Sequence, residues 1–162
     1  MTDTEKISQQ LGSDMVAVDM KLLSQSDLPI STKDWLATVG IPKTVQLPFG
    51  LVLKGVFALN PVPSKPQSGL IIGETDGPSY MAIKPDGTVV MSCETDEPDT
   101  FVNPSIGQFF ESLTIYAEYV KRKMDRRQFE TRLMQLDPEA TRSEEQFWAL
   151  VLEDAGYFDF DE

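Results

Sequence analysis

The period of the apolar positions changes twice along this chain, and the changes mark out a helix, a block of strands and a run of helices. The first clear element starts at Ser31, a residue able to cap a helix over Thr32–Val39 with Trp35, Leu36 and Val39 on one face. Ile30 before that cap and Trp35 inside it have the spacing of a hydrophobic staple. Gly40 supplies a left-handed stop, and Pro42 bars continuation. The earlier stretch Met15–Leu23 fits a short strand or a short helix equally well. From Val45 the pattern is that of strands: Leu51–Leu59, with Gly55 as a candidate bulge, then Gly69–Gly73, Ser79–Lys84 and Thr88–Cys93. A loop with Pro61, Pro63 and Pro66 follows the first of these, and Pro85-Asp86-Gly87 is a turn between the last two.

Beyond residue 100 the pattern is helical. Asn103 is a candidate cap for a helix opening on Pro104, with an apolar stripe through Ile106, Phe109, Phe110, Leu113, Ala117, Val120 and Met124. Asp125 with Gln128 predicts a second helix carrying Phe129, Leu133 and Leu136. Ser143 with Gln146 predicts a third, carrying Phe147, Trp148, Val151 and Ala155 and ending at Gly156. Strands followed by helices give an α+β fold: an antiparallel or mixed sheet meander with helices packed on one face. One domain over 1–162 is expected, with 1–13 and 157–162 as candidate fraying ends.

Composition narrows the function more than the fold. The chain has no histidine, which removes Ser-His-Asp and Cys-His machinery and His-ligated metals. Cys93 is the single cysteine, so there is no intramolecular disulfide and no Cys cage; a small apolar strand residue is the plain reading. No phosphate-binding glycine loop or nucleophile elbow is present, so the expectation is a non-enzyme without cofactor. A net charge of −12 disfavours nucleic acid and anionic membranes and favours a protein partner with a basic surface. The polar stretch Met1–Ser13 lacks a secretory layout and no apolar run is long enough to span a bilayer, which points to the cytoplasm.

Two charge clusters remain. Lys121, Arg122, Lys123, Arg126, Arg127 and Arg132 are expected to form a solvated helical face. Glu74-Thr75-Asp76 recurs as Glu94-Thr95-Asp96, each after an apolar strand. In a meander those two strands run in the same direction, so both triplets leave one end of the sheet, roughly 10 Å apart across two strand spacings. Glu97 and Asp99 join the same rim. The spacing does not match a calcium loop. The residues Glu74, Asp76, Glu94, Asp96, Glu97 and Asp99 are therefore candidates for binding a partner, against the plainer reading of ordinary loop carboxylates.

The order of motifs resembles the SUKH superfamily of bacterial immunity proteins, in particular its fourth-type branch. The resemblance runs from the Leu28-Pro29 helix ending in Gly40-Ile41-Pro42, through Asn103-Pro104-Ser105 with Phe109, Phe110, Leu113 and Tyr116. It continues to Leu136-Asp137-Pro138, Phe147-Trp148 and Gly156. What it implies is a protein that binds and blocks a cognate toxin domain, many such toxins being nucleases or other nucleic-acid-directed enzymes. A regulatory interaction module of the same fold, without a toxin partner, is the alternative it leaves open. It carries over no binding residue.

Overall fold

The computed structural model describes residues 3–54, 70–93, 98–121, 123–143 and 146–158, omitting the side chains of residues 3, 54 and 154–158. The period-two region becomes one six-stranded antiparallel sheet. Its strands are β3 (Thr44–Gln46), β4 (Val52–Lys54), β5 (Leu70–Glu74), β6 (Ser79–Ile83), β7 (Val89–Cys93) and β8 (Thr100–Asn103), in chain order across the sheet. No strand is paired in parallel among the described residues. Residues 55–69, including Gly55 and the three prolines of the loop, lie outside the described residues.

Register explains which side of the sheet is covered. Leu70, Ile83 and Val89 are cross-strand neighbours, as are Met81 and Met91. This face meets the helices α4 (Ile106–Val120), α5 (Arg126–Leu136) and α6 (Phe147–Phe158), whose Phe109, Phe110, Leu113, Phe129 and Trp148 complete one apolar core. Burying a side chain of this size stabilises by about 1.5–3 kcal/mol, so the α4 stripe alone contributes much of the drive to close the layers. A register shift between Ile71 and Gly73 and another between Val89 and Val90 let both Ile72 and Val102 join that core. On the opposite face Ala82 and Val90 are buried as well.

Before the sheet come α1 (Asp3–Leu11), β1 (Met15–Val16), α2 (Met20–Ser24), α3 (Ile30–Thr38) and β2 (Ile41–Pro42). The undecided stretch Met15–Leu23 is thus both a strand and a helix. Helix α1 packs on α4 through the buried Ile7, an element that a single apolar turn in a polar stretch did not mark. The N-terminus of α3 corrects the staple. Its cap is Pro29, held extended at φ −60 and ψ 153, so the helix opens two residues earlier and leaves Ile30 77% exposed. Gly40 has φ +88, and a Cβ there would lie 2.4 Å from the Val16 carbonyl oxygen. It ends the helix, as expected, and also lets β1 cross close enough to pair with β2.

Two helix ends also differ from expectation. Asn103 is no cap: it pairs with Val89 as the last residue of β8, and Ser105 caps α4 by accepting the Gln108 N–H at 3.2 Å. Helix α4 stops at Val120, which is exposed, so the stripe does not continue to Met124 within one helix. The Asp125–Gln128 capping box is formed as predicted, and Ser143 donates its N–H to the Gln146 side chain ahead of α6. Helix α6 runs through Gly156 to Phe158. Among the described residues no helix is long and apolar enough to cross a membrane.

Candidate functional site

The meander brings the ends of β5 and β7 to one edge of the molecule, with Glu74 beside Tyr80 and Ser79 beside Cys93. Thr75 organises the turn that follows β5: its hydroxyl donates to the Ser79 carbonyl at 2.7 Å and accepts the Gly77 N–H at 3.3 Å. That tight turn leaves Asp76 exposed at its tip, and Glu74 is exposed at the strand end. Asp99 is held differently, accepting the hydroxyl of the buried Ser92 at 2.6 Å. Glu94, Asp96 and Glu97 lie outside the described residues. The structure therefore brings Glu74, Asp76 and Asp99 to one end of the sheet.

Beside this rim, on the helix-facing side, a surface groove of about 370 Å³ opens between the β3–β4 hairpin, the β5–β6 turn and α6. Phe49 and Leu150 stand at its mouth, and Met91, Thr100, Ser79 and Asp76 contribute to its walls. Phe49 is unusual. It is the sole described non-glycine residue at positive φ (66°), followed by Gly50 at 72°, so both central residues of the hairpin turn are left-handed. Such a turn matches the twist of the flanking strands and ordinarily takes Asn-Gly or Gly-Gly. A phenylalanine there costs about 1–2 kcal/mol. Its ring meets Phe147 edge-on, with centroids 6.0 Å apart, yet Phe49 remains 53% exposed. Leu150 is also among the exposed large apolar residues. Neither residue carried a sequence signal, because an aromatic in a turn and a leucine in an apolar helix both look ordinary.

A second polar gathering is buried. Asn103 donates to the Asp137 carboxylate at 2.8 Å and to the Ser112 hydroxyl at 3.3 Å, while its carbonyl oxygen accepts the Trp148 indole N–H at 2.7 Å. Asp137 also accepts the Glu139 N–H at 3.2 Å. All four side chains are buried and each is partnered, so the seam ties β8, α4, the α5 terminus and α6 together without an open valence.

The basic cluster has structural work. Lys121 donates to the Gln10 carbonyl at 2.8 Å, joining α4 to α1. Arg126 donates to the Leu152 carbonyl at 3.2 Å, and Arg132 pairs with Glu118. Arg122 lies outside the described residues. At the far end of the sheet Asp86 accepts the Thr88 N–H at 2.9 Å, and hydrogen bonds from Thr88, then the charge of Lys84, hold its carboxyl below the usual range.

A family model described as SUKH-4 immunity protein matches residues 3–154. No curated protein and no solved structure matches the chain.

Proposed function

The chain belongs to the SUKH-4 immunity protein family, and from that premise we propose that it binds a cognate toxin domain in the cytoplasm and neutralises it without catalysis. The observation that carries this reading is the family match across nearly every described element, residues 3–154. The charge of −12 supports a toxin with a basic surface, as expected of a nuclease or other nucleic-acid-directed enzyme. Glu74, Asp76 and Asp99 at the sheet end, with Glu94, Asp96 and Glu97 of the same sequence region, are the carboxylates proposed to meet it. Opposite charge speeds capture by steering, which suits a protein whose target does harm at each turnover.

The test is co-expression of the toxic C-terminal domain encoded beside this chain, with and without the chain. Survival that requires this protein is the expected result. Survival independent of it would remove the immunity reading and favour an interaction module of the same fold.

A further inference from the structure

Resting on that reading, we propose that the groove between Phe49 and Leu150 seats an aromatic or long aliphatic side chain of the toxin, flanked there by a Lys or Arg that meets Asp76. Three observations converge on this occupant. Phe49 keeps a left-handed backbone that Asn or Gly would adopt without strain, and does so while the residue is about half exposed. Strain kept at an exposed aromatic gains the fold little, and such outliers concentrate at binding sites. Leu150 is exposed beside the same opening, although Phe147, Trp148, Val151 and Leu152 on its helix are all buried. Asp76 is the one charged residue among the described residues lining the groove, and no Lys or Arg is among them. An apolar slot with this carboxylate at its lip matches an apolar group beside a cation and repels one beside an anion. An aromatic anchor enclosed by weaker contacts is also the arrangement in which interfaces concentrate affinity.

The experiment titrates wild type, Phe49→Gly, Phe49→Asn, Leu150→Ala and Asp76→Lys against the adjacent-frame toxin domain with its own catalysis inactivated, following affinity and association rate. Thermal melts run on every variant. Phe49→Gly and Phe49→Asn suit the left-handed turn, so both should stay folded while binding at least ten-fold more weakly. Leu150→Ala should weaken binding several-fold. Asp76→Lys should slow association, most at low salt. Folded Phe49 variants that bind within two-fold of wild type would overturn the groove and leave the immunity reading standing. Wild type that does not bind the domain at all would remove both. Sedimentation of the free protein provides one more outcome: a wild-type dimer that Phe49→Gly dissociates would make the occupant a second copy of the chain and overturn the proposal.

Discussion

Phe147 and Trp148 are neighbours on α6, yet they belong to two regions built on opposite terms. The Trp148 indole is fully buried and donates to Asn103, in a seam where each polar group has a partner. The Phe147 ring turns to Phe49, at a groove whose mouth is strained and open. The two rings touch edge to face, with centroids 5.1 Å apart. One helix turn therefore serves closure on one side and display on the other. The contrast separates a closed region, in which every polar group is paired, from an open and strained one.

The largest effect should come from breaking the seam. Asn103→Ala leaves the Trp148 N–H and part of the Asp137 carboxylate buried without partners, at about 1–3 kcal/mol for each. A loss of about 3 kcal/mol is expected, read from the urea midpoint at unchanged slope. A loss under about 1 kcal/mol would mean that water or relaxation satisfies the seam, and the contrast would blur.

The groove should respond in the opposite manner. Phe49→Gly relieves about 1–2 kcal/mol of backbone strain and gives up a ring contact worth about 0.5–1.5 kcal/mol. The two nearly offset, so stability should stay within about 1 kcal/mol of wild type. A melting curve tests this without any partner, and a drop of about 3 kcal/mol would make Phe49 a structural residue.

The smallest effect is expected at the other end of the sheet. Hydrogen bonds to Asp86 lower its folded pKa, so its contribution is complete above the unfolded value of about 3.9 and is lost as pH falls through the lowered folded value. Asp86→Asn should therefore be slightly less stable than wild type at neutral pH, and the gap should close in acid. Chemical denaturation in a pH series checks the sign. A gap that widens in acid would contradict it.

Much of the fold is legible in the sequence, and particular residues show why the rest is not. The Asp125–Gln128 box and the Gly40 stop are local, since each needs only its own turn to form, and both are present. Asn103 followed by Pro104 has the look of a helix start, but pairing with β7 claims Asn103 and the cap passes to Ser105. Ile30 fails as a staple because Pro29 sets the helix entry. The same split runs through the candidate site. The strand order that sends Glu74 and Asp76 to one edge follows from period and turn signals, and the structure has that order. The groove beside them joins a hairpin tip to a helix about 100 residues on, a distance that no local pattern spans. The motifs that carry the family resemblance at Asn103, Asp137 and Trp148 converge on the seam, and hold the chain in shape.

The strand order has a consequence for how the protein comes into being. Each described strand of the main sheet pairs with the next described strand in the chain, so its pairings join near neighbours in strand order. Closure entropy rises with loop length, and contacts between near neighbours in sequence form fastest. The sheet can zip up hairpin by hairpin while the chain is still emerging from the ribosome. The α1–α4 contact, which joins residues more than a hundred positions apart through Lys121 and Gln10, must wait for the helical half. For a member of an immunity protein family, a sheet that assembles in the order of synthesis shortens the time to a folded chain.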